Sequence, residues 1–340
     1  MNEQLITGIL SYGMSGKLFH APFVNAHPKF KLRAITERTK KEAAERYPGI
    51  LSYDSVSDLI NDPEIELIIV NTPNNTHFEY AKQALLSGKH VLVEKPFAAS
   101  AAEAKELFDL ARKSKLKIMA YHNRRWDTDF LSLKKVLEEE KVGKPIEVHI
   151  RFDRYRPEIG PKVFKEMNVP GSGIAYDLGS HILDQAISLF GKPLKAEKTT
   201  GIFRINSLVD DYVSIHLKYP EQLNVFLTAS LLAAAPLPSY LVHGTGGTYI
   251  KDRTDVQEAQ LLNGKSPLDN DFGLEAADHQ GILTACNKSD EKNSTYYGVG
   301  QGNYLNLFDA VYTYIREDKP FPIKEEEIIW QMEILEQDNF

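Results

Sequence analysis

The chain predicts an α/β protein of two domains: a doubly wound parallel sheet over residues 1–122, then an α+β domain with an open, mostly antiparallel sheet over 123–340. Three observations carry this. Short apolar runs alternate with helical segments through the first third of the chain. A glycine turn joins the first run to the first helix. Beyond Tyr121 the buried runs give way to strands of period-two alternation, the pattern of a sheet with one face covered and one face open.

Taken in order, Leu5–Leu10 reads as the opening strand, and Ser11-Tyr12-Gly13-Met14-Ser15-Gly16 as the turn into a helix. The turn is G-x-G-x-x-G with Ser11 in first place. Its second glycine lets backbone approach a pyrophosphate and its third lets the helix pack on the strand. Ser11 fits only where that position has negative φ. A second strand, Phe30–Thr36, ends at Glu37, about 20 residues past Gly16, where a ribose-binding carboxylate belongs. Arg38, Thr39 and Lys40 beside it would suit the extra phosphate of NADP, with Glu37 turned outward. A further buried strand, Ile65–Val70, leads into Asn71–His77. Thr76 and Glu79 have capping-box spacing for a helix reaching Leu86, and Ser100 and Glu103 repeat that spacing before the next one. Between them lies Val91–Val93, a run buried on both faces, and Leu116–Tyr121 is one more strand.

In the second domain, Asp129–Glu140 reads as an amphipathic helix, and Glu147–Phe152, Asp211–Leu217 and Asn224–Thr228 as alternating strands. Ile174–Gln185 is a buried helix, and Tyr304–Arg316 and Glu325–Glu336 are closing helices.

Two places carry candidate chemistry. The run Val91–Val93 delivers Glu94 and Lys95 to the carboxyl end of its strand, where open α/β sheets bind ligands, and Pro96 stops the ladder. Lys95 is either placed for chemistry or an ordinary surface lysine. Asp177 and His181 stand four apart on the buried helix, so they share a face. A carboxylate beside an imidazole orients it and raises its pKa, which suits proton transfer. A capped core histidine and an incomplete metal site are the alternatives, and no third ligand stands nearby in sequence, so no metal is expected.

Lys and Arg total 40 against 47 Asp and Glu, a net charge of −7 that gives no reason to recruit nucleic acid or an anionic membrane. The expected partners are a small molecule and further copies of the chain, as a homodimer or homotetramer through the open sheet face. Cys286 is the only cysteine, which excludes an internal disulfide. With no basic segment followed by a long apolar run at Met1-Asn2-Glu3-Gln4, the chain is expected in the cytoplasm.

Ser11–Gly16, Thr72-Pro73-Asn74-Asn75-Thr76-His77, Glu94-Lys95-Pro96 and Asp177-Leu178-Gly179-Ser180-His181, in this order and spacing, resemble the glucose-fructose oxidoreductase/inositol dehydrogenase (Gfo/Idh/MocA) family over essentially the whole chain. Tyr121–Asp127 and Arg154-Tyr155-Arg156-Pro157-Glu158 are similar to its branch that oxidises scyllo-inositol with NAD(P). The resemblance implies an N-terminal Rossmann domain and NADP or NAD as cofactor, bound by Ser11, Tyr12, Gly13, Met14, Ser15, Gly16, Glu37, Arg38, Thr72, Pro73, Asn75, His77, Glu94 and Lys95. It implies Lys95 as catalytic lysine, Asp177 and His181 as the acid/base pair, and a Pro96 preceded by a cis peptide bond. Asn123, Arg154 and Tyr155, with Asp177 and His181, are the expected substrate contacts, and Trp126 a packing anchor. A nucleotide-sensing regulator on the same fold is the rival reading. A dehydrogenase of an acyclic or phosphorylated sugar is another, since Arg124, Arg125, Arg154 and Arg156 could grip an anion, although at least two of them are expected in ordinary salt bridges.

Overall fold

The computed structural model describes residues 4–160, 166–254, 256–286 and 291–340, so Met1–Glu3, on which the expected lack of a leader rests, lie outside it. The chain divides into two compact units, the first comprising Met1–His122, Gln260–Phe272 and Asn303–Ile328, and the second Asn123–Ala259, Gly273–Gly302 and Ile329–Phe340. The expectation that 123–340 forms one domain is thereby corrected. The two later segments return to the first unit because their aromatic residues have a core to fill there: Phe272, Tyr304 and Phe308 all pack against Phe23, the last stacked at 5.7 Å.

In the first unit, β1 (Leu5–Ile9), β2 (Phe30–Thr36), β3 (Leu51–Tyr53), β4 (Leu67–Val70), β5 (His90–Glu94) and β6 (Ile118–Tyr121) form a parallel sheet in the order β3-β2-β1-β4-β5-β6. The order reverses between β1 and β4, the switch point at which such sheets bind ligands. All four residues of β4 and the central three of β5 are buried, as their uninterrupted apolar sequences require. A π-helical turn, Gly16–His20, leads into α1 (Ala21–Ala26). Then come α2 (Ala43–Arg46), α3 (Val56–Ile60), α4 (His77–Leu86) and α5 (Ala101–Ser114). Ser100 caps α5, its hydroxyl accepting from Glu103 N–H at 3.2 Å, while the Glu103 carboxylate accepts from Ala99 N–H at 2.9 Å. The similar spacing at Thr76 makes no such cap: the hydroxyl bonds instead to Pro73 O (2.6 Å) and Thr72 Oγ1 (2.7 Å), tightening the loop before α4.

In the second unit, α6 (Thr128–Glu138) precedes β7 (Pro145–Asp153), a π-helical turn Ala175–Gly179 runs into α7 (Ser180–Phe190), and β8 (Lys195–Gly201), β9 (Tyr212–Lys218), β10 (Asn224–Ser230), β11 (Tyr240–Gly244), β12 (Gly247–Lys251), β13 (Gly281–Cys286) and β14 (Lys292–Tyr297) follow. Eight strands form one sheet, β14-β13-β12-β11-β7-β10-β9-β8. It is antiparallel except where β10 runs parallel to β7. The inner face carries Val148, Ile150, Phe152, Val213, Ile215, Leu217, Val225 and Leu227, all buried. The chain also contains α8 (Val256–Leu262), α9 (Leu305–Arg316) and α10 (Glu325–Leu335). Among the described residues no helix is long and apolar enough to cross a membrane.

Candidate active site

In the first unit a crevice of about 430 Å³ lies at the switch point. Of the expected cofactor contacts, Ser11, Tyr12, Gly13, Glu37, Arg38, Thr72 and Pro73 line it. The Ser11 hydroxyl accepts from Gly13 N–H at 3.2 Å, and Ser11 does not take a positive φ, so the departure from glycine is accommodated. Gly16 has no room for a side chain: a Cβ there would collide with Ser11 O, so the third glycine keeps its packing role. Asn71 ties the two loops at the switch together, donating to Ser11 O at 2.8 Å and Ser15 Oγ at 3.3 Å. Its own Oδ1 is buried with no hydrogen-bond partner, as is Thr36 Oγ1 on the crevice wall. A crevice with open glycine backbone at Gly13 and an orphaned hydroxyl, that of Thr36, in its wall fits a dinucleotide. Met14 and Asn75 are exposed and are not among the residues that line it.

Glu37 departs from the expected outward position. It is buried, one carboxylate oxygen accepting from Glu42 N–H (2.8 Å) and Ala43 N–H (3.1 Å), the other from Ser52 Oγ (2.9 Å). The free N–H groups at the start of α2 account for this, since a carboxylate satisfies two of them and complements the helix dipole. Arg38, Thr39 and Lys40 are left exposed along the crevice.

Lys95 stands at the carboxyl end of β5, and the Lys95–Pro96 peptide bond is cis. Behind it Glu94 accepts from the Lys95 N–H at 3.1 Å and pairs with the buried His20 at 2.9 Å. Burial alone would raise the Glu94 carboxyl, but the His20 hydrogen bond and the nearby charges of His20, Lys95 and His77 outweigh it and hold the group below the usual carboxylate range. His77 is buried and bridges two carbonyls, Nδ1 to Pro96 O at 2.7 Å and Nε2 to Thr72 O at 2.9 Å, linking the loop after β4 to the turn that carries Lys95. Burial pushes its pKa down against those two bonds. A neutral ring donates to only one of them.

In the second unit Asp177 lies in the π-helical turn and His181 in the first turn of α7, buried. The His181 ring is 6.3 Å from that of Phe152 on the inner face of the sheet. Arg154, just past β7, sits over the same ring at 5.0 Å, and Asp177 is close enough to act on its charge. Arg124 is paired with Asp127 (3.2 Å) and Glu258 (2.7 Å), and Arg125 with Asp184 through both ends of its fork (2.8 and 2.7 Å), so these two are structural cations. Asn123 is buried at the start of a 3₁₀ turn, while Tyr155 and Arg156 are exposed. Trp126 is partly buried, and its carbonyl accepts from Gln257 at 3.0 Å. Sequence reading missed Arg253, which lies 3.8 Å over Phe152 and is separated from it by a hundred residues with no local motif to mark it.

Residues 5–122 match the model described as "Oxidoreductase family, NAD-binding Rossmann fold", and residues 130–250 match the "GFO/IDH/MocA C-terminal domain". The chain is 37% identical to the uncharacterized oxidoreductase YdgJ of Escherichia coli, over 99% of this chain and 96% of that protein. It is 34% identical to the scyllo-inositol 2-dehydrogenase (NADP(+)) IolW of Bacillus subtilis, over 98% and 92%. The solved structure of yvaA from Bacillus subtilis superposes with a TM-score of 0.94 at 33% identity, covering 99% of this chain and 95% of that one. A nucleotide crevice at the sheet's switch point and these near-full-length likenesses give one conclusion: the chain belongs to the Gfo/Idh/MocA oxidoreductase family and is an NAD(P)-dependent dehydrogenase.

Proposed function

We propose that this enzyme oxidises a secondary alcohol of a cyclic polyol or sugar, with scyllo-inositol as the first substrate to test, and that it prefers NADP to NAD. The observation that carries the reading is Lys95 at the ligand-binding end of β5 in a chain that also sets His181 beside Phe152 and Asp177 near Arg154 at the end of β7. The likeness to IolW supports the polyol. When bound, the nicotinamide accepts or returns the hydride. In this reading the His181 imidazole takes the hydroxyl proton, the Lys95 Nζ donates to the same oxygen as negative charge builds on it, and the Asp177 carboxylate stabilises the imidazolium. Reduction of the ketone runs these roles backward.

The preference for NADP is supported by the inward turn of Glu37. One of its carboxylate oxygens is taken up by two N–H groups at α2 and the other accepts from Ser52, which leaves less capacity for a ribose hydroxyl, while Arg38 and Lys40 bring positive charge to the crevice. Ile250, Ile282 and Tyr296 are exposed on the second unit's sheet and support assembly as a homodimer or homotetramer, which sedimentation would decide. A panel of inositols and aldoses with both cofactors, read as absorbance of the reduced nicotinamide, tests the whole. Turnover of scyllo-inositol with kcat/KM at least about tenfold higher for NADP, roughly 1.4 kcal/mol, is the expected outcome. Equal use of both cofactors removes the preference, and no turnover of any polyol removes the substrate class.

A further inference from the structure

Arginines that this protein withdraws from water are otherwise paired. Among the described residues Arg33, Arg124, Arg125, Arg151 and Arg204 each hold a carboxylate at 2.7–2.8 Å. Arg154 and Arg253 differ. Arg154 is partly buried and has no carboxylate within salt-bridge distance among the described residues. Arg253 donates from Nη2 to Arg151 O at 3.1 Å and makes a long ion pair with Asp129 at 3.9 Å, whose charge favours its cation, while its Nε and Nη1 are buried without a hydrogen-bond partner.

Both guanidiniums lie against Phe152, at 3.8 and 5.0 Å from the ring centre, with the His181 ring 6.3 Å from it. Stacking on a phenyl group satisfies the face of a guanidinium and leaves the N–H edge, the part that grips carboxylate or phosphate in a fork. Burial, then the charge of Arg156, makes the cationic form of Arg154 unfavourable, with Asp177 only partly offsetting them. Because arginine does not give up its proton in proteins, that cost persists as positive potential beside His181.

We propose that the edges of Arg154 and Arg253 form a subsite for an oxyanion carried by the substrate, a carboxylate or a phosphate ester, so that the preferred substrate is an acidic sugar or polyol. The proposal rests on the reading above for the place of oxidation and deepens it by naming a charged substituent. Arg154 and Arg253 act as specificity-determining residues, and the neutral polyol becomes the poorer member of its series.

The test compares kcat/KM with NADP for glucose, glucuronate, glucose 6-phosphate and scyllo-inositol in the wild type and in Arg154→Gln, Arg253→Gln and Arg154→Lys, each checked for folding by its melting curve. One acid should exceed glucose by about tenfold or more, the size of a single good ionic contact, and which acid does so separates carboxylate from phosphate. That ratio should fall to near unity in both Gln variants and be partly kept in Arg154→Lys, which retains charge without the fork. Neutral substrates used as well as both acids, or an acid preference surviving both Gln changes, overturns the subsite while leaving the dehydrogenase reading intact. Should no substrate turn over, that reading falls, and calorimetric titration of glucuronate and glucose 6-phosphate into the NADP-loaded protein judges the subsite alone. Binding that is lost in Arg154→Gln supports it, and no binding overturns it.

Discussion

Around the first unit's crevice, polar side chains are fastened to backbone: Glu37 to two N–H groups, Asn71 to Ser11 O, and His77 to the carbonyls of Thr72 and Pro96. In the second unit the polar residues near His181 meet side chains instead, with Arg124 and Arg125 held by carboxylates and Arg154 and Arg253 resting on a ring. Backbone anchors do not change when side chains do, so they suit a ligand that stays the same. Side-chain anchors can be exchanged one at a time, which suits a ligand that differs from one relative to the next.

The largest expected effect tests whether chemistry is shared by the two units. Lys95→Met should keep the stem's packing and lose roughly 10²–10⁴-fold in kcat, with His181→Asn giving a loss of the same order. If both act on one oxygen, the double variant is far less impaired than the product of the single effects. Multiplying effects, seen in turnover of the best substrate, would separate the two residues.

A backbone-built crevice should also be intolerant at Gly16. Gly16→Ala places a methyl against Ser11 O and should cost about 1–3 kcal/mol of stability, together with weaker binding of NAD and NADP alike. Unchanged melting and unchanged nucleotide fluorescence titrations would mean the loop yields, and the contrast with the second unit would shrink.

Glu37→Ala removes the oxygen to which two N–H groups donate. It should lower stability by about 1–2 kcal/mol and weaken both cofactors together. Selective damage to NAD use would instead mean that the carboxylate reaches a ribose.

The smallest effect is a pH dependence at His90, whose pKa is lowered from 6.5 to about 4, chiefly by burial and then by the charge of Arg316. Its Nδ1 accepts from Lys117 N–H at 2.9 Å, a bond that the protonated ring cannot make. The unfolded chain takes up the proton first, so the folded state loses stability as pH falls from 6.5 towards 4. His90→Asn retains an acceptor without the titration. Its melting temperature should fall less than that of the wild type between pH 7 and 4.5, and parallel slopes would exclude His90.

The elements readable from sequence were those whose physics is local. Leu67–Val70 and Val91–Val93 are apolar without interruption, and the Ser11–Gly16 turn follows directly from a strand, so the doubly wound sheet and its switch point could be inferred before any coordinates. Strand β8, Lys195–Gly201, is polar at nearly every position, and β14, Lys292–Tyr297, is exposed almost throughout, so neither shows the contrast on which alternation depends. Strand β3 is three residues at an edge. The inward turn of Glu37 depends on a short helix that sequence reading did not find, and the return of 260–272 and 303–328 to the first unit depends on contacts hundreds of residues apart.

The π-helical turn Ala175–Gly179 has a consequence for insertions and deletions. Four residues make slightly more than one α-helical turn and less than one π turn, so a helix that changes from one to the other between Asp177 and His181 brings these positions nearly into line. The spacing and the bulge are therefore a single character. Removing Leu178 or Gly179 would shorten the spacing to three and, in a regular helix turning about 100° per residue, leave Asp177 about 60° away from His181 around the axis. A relative that lost the bulge while keeping an aspartate and a histidine would align well by eye and still present the carboxylate to a different neighbour.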